Sequence, residues 1–349
     1  MKLHEKYMKR CLDLALNGLG QAQPNPLVGC VITYNNTIIG EGYHKKYGES
    51  HAEVNAVKSV KNKDLLKKSR LYVNLEPCAH YGKTPPCAEM IVQNKIPEVV
   101  IGTIDPFALV KGKGVEILKK GGCKVTVGVL KDKCEEINKR FFTYHNKKRP
   151  YIILKWAETK DGYIDIIREK NHTDRPTWIT DETCRSLVHK WRAEEQAILI
   201  GKNTALIDNP ILNIRNWTGK NPVRVVIDKN LSLPENLSLF DNKQKTLVFN
   251  NLRDYKKADN IFLIKLDFSQ NIISQILESL YNLEIQSVIV EGGAKTLQSF
   301  IDLGYWDEAR VFTGNIEFKS GVKAPKINTN TAVEENIGNS RLKLYLNRI

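Results

Sequence analysis

The stretch Glu76-Pro77-Cys78-Ala79-His80-Tyr81-Gly82-Lys83-Thr84-Pro85-Pro86-Cys87 places eight residues between two cysteines, directly after an apolar segment typical of a strand. About 25 residues earlier, His51-Ala52-Glu53 opens a helical segment. An imidazole and two thiolates are three of the four ligands that a tetrahedral zinc ion takes. The sequence therefore predicts that His51, Cys78 and Cys87 come together after folding and bind one Zn²⁺.

Three protein ligands leave the fourth position of zinc open to water, which is typical of a catalytic site. Zinc lowers the pKa of that water to about 7, and Glu53, two residues from His51, is placed to move its proton. A His-x-Glu followed by a Pro-Cys is the pattern of zinc deaminases. The alternative is that His51 begins a helix and the cysteines fill the core. The order of the motifs and the intervening strand favour the metal site.

The residues around this motif alternate between strand and helix patterns, which predicts an α/β fold with helices covering a sheet. The predicted helices are 4–18, 51–60, 86–95 and 112–120, and the predicted strands are 28–33, 37–43, 70–75, 98–102 and 124–127. The polar, basic segment 144–150 ends in proline and predicts a domain boundary, giving domains 1–146 and 147–349.

A second α/β series follows the boundary. Its predicted strands are 151–157, 197–200, 223–227 and 288–290, and its predicted helices are 181–192, 270–280 and 294–303. The stretch 229–262 is rich in Asn, Asp and Lys and shows no clear periodicity.

The composition indicates a globular protein and argues against a membrane protein or a disulfide-rich one. The chain has 349 residues, of which 42% are apolar and 26% charged, as in globular proteins of about two domains. Its apolar runs are far shorter than the ~20 residues of a membrane span, and its first residues do not resemble a signal peptide. Seven cysteines, an odd number thinly spread, argue against a disulfide framework. These features predict a cytoplasmic protein with no membrane partner.

Charge divides unevenly along the chain. Residues 1–150 carry 26 Lys+Arg against 14 Asp+Glu, a net +12, and the remaining residues carry 27 against 25, a net +2. An anionic partner is therefore expected for the first half, either a nucleic acid or a phosphorylated small molecule.

The second half lacks the usual dinucleotide-binding glycines. Gly112-Lys113-Gly114 fails the Gly-x-Gly-x-x-Gly pattern at Ile117 and lies in the first half, where it predicts a loop and a helix start. The segment Val288–Thr296 has an apolar strand that ends in paired glycines before a helix. Such a helix N-terminus can bind phosphate, although paired glycines after a strand are often simply a turn.

Two sets of motifs together resemble one family. In the first half these are Pro24-Asn25-Pro26-Leu27-Val28-Gly29-Cys30, His51-Ala52-Glu53 and the stretch from Glu76 to Cys87; in the second half they are Arg149 to Ala157, Lys160-Asp161-Gly162, Trp178-Ile179-Thr180, Arg192-Ala193, Gly201-Lys202-Asn203-Thr204, Asp208-Asn209-Pro210 and Glu291-Gly292-Gly293. In this order they resemble the bifunctional deaminase/reductases of riboflavin biosynthesis, over nearly the whole chain.

The resemblance implies a cytidine-deaminase-like zinc domain that deaminates 2,5-diamino-6-ribosylamino-4(3H)-pyrimidinone 5′-phosphate with a zinc-bound hydroxide. Glu53 would be the catalytic acid and base. Asn25 and His44 would hold the pyrimidine, and Lys83 would meet the ribose phosphate, which suits a compact ammonium ion.

For the second half, the resemblance implies a dihydrofolate-reductase-like domain that uses NADPH to reduce the ribosyl group to ribityl. Substrate contacts would come from Arg192, Leu212, Arg215 and Glu291. Cofactor contacts would come from Ala157, Trp178, Thr204, Asp208, Gly293, Ala294, Lys295, Thr296, Leu297, Gln298 and Ser299.

The chain departs from the family pattern at three places. Phe107 stands where the family has an asparagine, which removes one expected substrate contact. Pro176 stands where a small polar residue is common, and Thr159-Lys160 replaces Ser-Leu before Asp161-Gly162.

Two other functions are compatible with parts of the sequence. A tRNA or nucleoside deaminase would use the basic half and the His-x-Glu, but such enzymes usually have two residues between the cysteines. A zinc-stabilised RNA-binding protein would use the same charge, but aromatic residues do not interleave with the basic ones as in single-strand binders. The expected partner is therefore a phosphorylated pyrimidine rather than nucleic acid, and the resemblance implies a homo-oligomer.

Overall fold

The computed structural model divides into two units, Met1–Lys148 and Arg149–Ile349, each with its own sheet and its own apolar core. It describes residues 2–81, 85–108, 110–167 and 177–347. Among these residues, no helix combines the length and apolarity that crossing a bilayer requires.

The first unit is built on a five-stranded sheet of order β2-β1-β3-β4-β5, in which β3, β4 and β5 are parallel and β1 is antiparallel to both neighbours. Its elements are α1 (Lys2–Leu16), β1 (Gly29–Tyr34), β2 (Thr37–Tyr43), α2 (Ala52–Ser59), a 3₁₀ helix (Lys63–Lys68), β3 (Arg70–Leu75), α3 (Cys87–Gln93), β4 (Glu98–Thr103), α4 (Lys113–Lys120), β5 (Lys124–Val127), α5 (Lys131–Ile137) and α6 (Lys139–Lys147).

Both faces of this sheet are buried, because successive side chains of a strand point to opposite faces. Val73 of β3 packs with residues of α2, α3 and α4 on one face. Tyr72, its neighbour, packs with residues of α1 and α5 on the other face. The sheet is thus the middle of three layers, and the ends of its parallel strands are open for a site.

A buried carboxylate ties the strand ends to helix α4. Glu76, the first residue after β3, accepts backbone hydrogen bonds from Gly112 (3.0 Å), Val115 (3.1 Å) and Asp105 (3.2 Å). Two of these donors belong to the start of α4, where N–H groups have no partner within the helix and the helix dipole favours a negative charge. Glu76 therefore fixes the turn that carries Cys78.

Gly114 lets α4 approach this same turn. A Cβ atom added at Gly114 would lie 2.2 Å from the backbone oxygen of Pro77. Any larger residue would displace the turn or the helix, since the blocking atom belongs to the backbone.

The second unit contains a ten-stranded sheet of order β11-β12-β10-β9-β8-β13-β6-β14-β17-β16 and a small antiparallel pair, β15 and β7. Its elements are β6 (Tyr151–Glu158), β7 (Tyr163–Asp165), α7 (Glu182–Glu194), β8 (Ala197–Gly201), α8 (Lys202–Asp208), β9 (Val223–Ile227), a 3₁₀ helix (Ser238–Phe240), β10 (Thr246–Asn250), β11 (Tyr255–Ala258), β12 (Ile261–Lys265), α9 (Ile272–Asn282), β13 (Ser287–Gly292), α10 (Ala294–Asp302), β14 (Glu308–Thr313), β15 (Val322–Lys323), β16 (Thr331–Ile337) and β17 (Ser340–Leu346).

Strands β12, β10, β9, β8, β13, β6 and β14 run parallel, so their carboxyl ends lie along one edge. Ile152 and Leu154 of β6 pack with α9 and α10 on one face, and Ile153 packs with α7 and α8 on the other. Helices α8 and α10 begin immediately after β8 and β13. This edge therefore collects strand ends and helix starts.

The predicted helices and strands are confirmed with shifts of a few residues at their ends. Two regions differ. Residues 144–147, expected in a polar linker, form the end of α6. The stretch 229–262, which shows no periodicity, contains β10, β11 and the start of β12. Gly112 precedes α4 as the expected helix start.

We expect Glu76→Ala to destabilise the first unit by about 2–4 kcal/mol, because one buried and two partly buried N–H groups lose their acceptor. Urea unfolding followed by circular dichroism measures the change. All five tryptophans lie after residue 149, so tryptophan fluorescence follows the second unit separately and should not change. The exposed Glu116→Gln is the matched control, expected within about 0.5 kcal/mol of the parent. Equal stability of the Glu76→Ala protein would contradict this role.

Candidate active sites

Three predicted metal ligands converge at the open ends of the first sheet. His51 immediately precedes α2, Cys78 lies in the loop after β3, and Cys87 is the first residue of α3. His51 Nδ1 lies 3.5 Å from Cys78 Sγ and 3.3 Å from Cys87 Sγ. All three potential ligand atoms lie within 4.8 Å of one another.

These distances fit a tetrahedral zinc ion. With Zn–S near 2.3 Å and Zn–N near 2.0–2.1 Å, tetrahedral angles separate a sulfur and a nitrogen ligand by about 3.5 Å. Cys87 also donates its backbone N–H to Cys78 Sγ at 3.2 Å, which favours a thiolate there. The donor set and its spacing therefore match zinc with one position open.

The electrostatics of the cluster favour negative sulfur. Hydrogen bonding from Cys87 and then from His51 lowers the pKa of Cys78 to about 4, although burial opposes this shift. The same contact with Cys78, together with burial, raises the pKa of the Cys87 thiol. Zinc binds cysteine as the thiolate, so a bound zinc ion would hold both sulfurs in the deprotonated form.

Glu53 points into the same centre and is almost fully buried, with 3% of its surface exposed. Burial, reinforced by the negative charge of Cys78, raises the pKa of Glu53 to about 7. A carboxyl group with this pKa can both accept and donate a proton near neutral pH.

Asn25 and His44 lie beside the metal ligands. The ring of His44 meets that of His51 edge to face, with 5.5 Å between centroids. His44 Nδ1 lies 3.2 Å from the Ser50 oxygen, and its Nε2 lies 3.0 Å from Asn25 Nδ2. Burial lowers the pKa of His44, so the neutral ring donates to Ser50 and accepts from Asn25. Lys83, the predicted phosphate contact, lies outside the described residues.

The second site is a cavity of about 850 Å³ in the second unit. It lies at the carboxyl ends of β6, β8, β9 and β13 and at the starts of α8 and α10. This is the place where parallel α/β sheets usually bind ligands. Charged, polar and apolar side chains line it, together with the paired glycines Gly292 and Gly293.

A buried ion cluster forms one end of the cavity. Arg192 donates from Nε and Nη2 to the two oxygens of Glu291, at 2.8 and 2.7 Å. Lys155 Nζ lies 3.7 Å from Glu291 Oε2. Burial opposes the charge of Glu291, but Arg192 and Lys155 outweigh it and lower the pKa of Glu291 to about 2. Burial also lowers the pKa of Lys155.

Known proteins match both units. Residues 1–103 match the family described as the cytidine and deoxycytidylate deaminase zinc-binding region, and residues 150–316 match the RibD C-terminal domain. The riboflavin biosynthesis protein RibD of Aquifex aeolicus (strain VF5) is 39% identical over 318 residues, which cover 89% of this chain and 86% of that protein. This chain belongs to the RibD family. The RibD protein of Bacillus amyloliquefaciens is also 39% identical, over 93% of this chain and 88% of its own length.

Solved structures agree with the family. A diaminohydroxyphosphoribosylaminopyrimidine deaminase/5-amino-6-(5-phosphoribosylamino)uracil reductase from Thermotoga maritima is 35% identical, covers 98% of each chain and has a TM-score of 0.88. Acinetobacter baumannii RibD, form 1, is 30% identical, covers 99% of each chain and has a TM-score of 0.87.

As a RibD protein, the chain is a bifunctional deaminase and reductase of riboflavin biosynthesis that uses Zn²⁺ and NADPH. The expected fold is also confirmed: an α/β chain with a cytidine-deaminase-like zinc domain and a dihydrofolate-reductase-like domain.

Most of the reductase residues expected from the RibD family line the cavity. They are Ala157, Trp178, Arg192, Thr204, Asp208, Arg215, Glu291, Gly293, Ala294, Lys295, Thr296, Leu297 and Ser299. Two others lie elsewhere. Leu212 is 4% exposed and packs in the core, and Gln298 bonds to Asp302 and to the backbone of Lys326.

Lys155 and His189 line the cavity but were not among the predicted residues. A signal for Lys155 exists in the sequence, because it is a single lysine inside the apolar strand of β6, where a buried charge needs a partner. His189 lies one turn before Arg192 on α7, and its Nδ1 accepts the backbone N–H of Arg215 at 3.4 Å.

The low pKa of Glu291 predicts a pH dependence of stability. The pKa falls from 4.5 to about 2 on folding, so the stabilisation is complete above about pH 5 and is lost as the pH falls towards 2. The shift corresponds to about 3 kcal/mol. We expect urea unfolding, followed by tryptophan fluorescence, to show this acid slope in the parent protein and a correspondingly smaller slope in Glu291→Gln. Exposed Glu278→Gln should retain the slope; identical slopes in all three proteins would refute the role of Glu291.

Proposed function

We propose that the first unit deaminates 2,5-diamino-6-ribosylamino-4(3H)-pyrimidinone 5′-phosphate and that the second reduces the resulting 5-amino-6-(5-phosphoribosylamino)uracil to its ribityl form. One observation carries this proposal: the same chain holds two different sites. The first is the cluster of His51, Cys78 and Cys87 beside the buried carboxyl of Glu53. The second is a cavity that ends in the buried ion pair of Arg192 and Glu291. The printed name of the Thermotoga maritima relative supports the same pair of reactions.

In the deaminase site, His51, Cys78 and Cys87 hold the zinc ion. When zinc is bound, it acts as a Lewis acid that makes water a nucleophile near neutral pH. Glu53 accepts the proton of the attacking water and delivers a proton to the departing amine. The carbon–nitrogen bond breaks, ammonia leaves and the oxygen of water becomes the ring carbonyl.

Asn25 and His44 orient the pyrimidine at this site. Their mutual hydrogen bond and the bond from His44 to Ser50 hold both side chains in one arrangement, which favours a fixed ring position over the metal. Lys83 is proposed to pair with the ribose phosphate.

In the reductase site, the cavity residues around Gly293 and Thr204 would hold NADPH, which would supply the hydride for C1′ of the ribosylamino group in its open-chain, imine form. Arg192 and Glu291 form a rigid pair that fixes the ribosyl end of the cavity, and Arg215 is proposed to bind the phosphate. Lys155 lies against this pair with a lowered pKa, so it is suited to give the imine nitrogen its proton.

The proposal is tested with the purified chain and the diaminopyrimidine phosphate. We expect ammonia release first and NADPH consumption second. Glu53→Gln should retain zinc and lose at least about 100-fold in deamination, while reducing pre-deaminated substrate normally. A tRNA substrate serves as the comparison. Adenosine deamination in tRNA, without ammonia release from the pyrimidine, would overturn the assignment, and unchanged turnover of Glu53→Gln would exclude its proton-transfer role.

We further expect Cys78→Ser to lower the bound zinc and the deaminase rate together, because a hydroxyl is a poor zinc ligand compared with a thiolate. Zinc content by elemental analysis and NADPH oxidation with pre-deaminated substrate are measured in parallel. The buried Cys123→Ser is the matched control, since it lies outside the ligand cluster. Loss of both activities in Cys78→Ser alone would show that the two sites depend on each other.

A further inference from the structure

The loop that carries Asn25 meets His44 at two points. Asn25 Nδ2 lies 3.0 Å from His44 Nε2, and the backbone N–H of His44 donates to the Val28 oxygen at 2.9 Å. Leu27 lies between these two points in the chain and is 6% exposed. The position of the Leu27 backbone therefore sets where the two side chains proposed to bind the pyrimidine stand.

Asn138 holds that backbone from the junction of α5 and α6. Its Oδ1 accepts the N–H of Leu27 at 2.7 Å, and its Nδ2 donates to the Leu27 oxygen at 2.9 Å. The two residues are 111 positions apart in the chain, and Asn138 is 2% exposed. One side-chain amide thus pairs with both backbone groups of a single residue, as a neighbouring strand would.

Asn138 forgoes a local hydrogen bond to make these contacts. It immediately precedes α6, a position at which asparagine commonly caps a helix by accepting an N–H of the first turn. The Asn138 side chain does not cap α6. Both of its amide atoms are directed at Leu27 instead, which indicates that this side chain serves the loop rather than the helix.

Asn74, near the end of β3, supports the same loop. It is fully buried; its Nδ2 donates to the Leu27 oxygen at 2.9 Å, and its Oδ1 accepts the N–H of Gly29 at 2.7 Å. The Leu27 oxygen therefore accepts from two amides, Asn74 and Asn138. Buried amides are costly unless they are paired, so this network fixes the loop to the strand that leads to Cys78.

We propose that Asn138, together with Asn74, positions Asn25 and His44 for the pyrimidine in the deaminase reaction. The inference deepens the proposed function of the first unit and rests on it. Without Asn138, the buried N–H of Leu27 loses its acceptor, and the loop is no longer held against His44. A displaced Asn25 would then orient the ring less well. Asn138 acts through the loop, so it is a positioning residue and takes no part in proton transfer.

The experiment measures steady-state deamination of the diaminopyrimidine phosphate by the full, zinc-loaded chain. We expect Asn138→Ala to raise KM about 10-fold and to change kcat less than about 3-fold, because substrate placement is weakened while the metal centre is intact. Zinc content and NADPH-dependent reduction of pre-deaminated substrate should match those of the parent. Asn138→Asp keeps an oxygen to accept the Leu27 N–H, so it should lose less, and it carries the test if Asn138→Ala does not fold.

Asn94→Ala is the matched control, because it removes a buried-side amide that makes a local bond only. Asn94 Nδ2 donates to the Met90 oxygen at 2.8 Å, at the opposite end of α3 from Cys87. We expect this variant to keep the KM and the kcat of the parent.

A double-mutant cycle with Asn25→Ala separates positioning from a general loss of stability. In the Asn25→Ala background, Asn138→Ala should lower kcat/KM less than about 3-fold, against about 10-fold in the parent, since part of what it supports is already lost. An unchanged KM with only a lower stability in urea would overturn the positioning role, and so would an equal loss in both backgrounds. Either result would leave the proposed deamination in place. Failure of the parent chain to release ammonia from this substrate would instead refute the proposed function, and this inference with it.

Discussion

Burying a charged carboxylate is unfavourable unless nearby groups stabilise its charge. Each unit contains such a carboxylate, and the two are stabilised by different kinds of group. Glu76 is neutralised by backbone N–H groups at the start of α4, so its charge is balanced by a helix end rather than by a cation. Glu291 is neutralised by Arg192 and Lys155. In both cases removing one partner would leave a buried charge or donor unsatisfied, which fixes the surrounding backbone. The two carboxylates therefore act as anchors for the strand ends that carry the chemistry.

The metal-ligand cluster of the first site could be predicted from the sequence because its signal is local. His51, Cys78 and Cys87 carry side chains with few other common uses in this order, and the strand between them sets the distance over which they meet. The spacing of these motifs did not reveal the structural role of the buried carboxylate Glu76. Glu76 belongs to the same motif as Cys78, but its partners in α4 lie 36 and 39 residues away.

The second unit was harder to predict because its strands pair over long distances. Strand β6 lies between β13 and β14, more than a hundred residues later in the chain. Strand β10 is buried along its whole length, yet it is short and surrounded by polar residues, so no periodicity marks it. Family motifs identified the cavity wall, but motif position alone did not distinguish Lys155, which lines it, from Leu212, whose side chain packs in the core.

Phe107 holds the loop after β4 by packing against aromatic side chains. The ring of Phe107 lies 5.0 Å from that of His145 on α6 and 6.1 Å from that of His80. Burial lowers the pKa of His145 to about 4, so this ring is neutral near pH 7 and packs as an aromatic surface. The backbone N–H of Phe107 still donates to Asp105 at 2.8 Å. The loop thus combines a backbone turn fixed by Asp105 with aromatic packing against α6, and a ligand near Phe107 would meet a flat apolar ring.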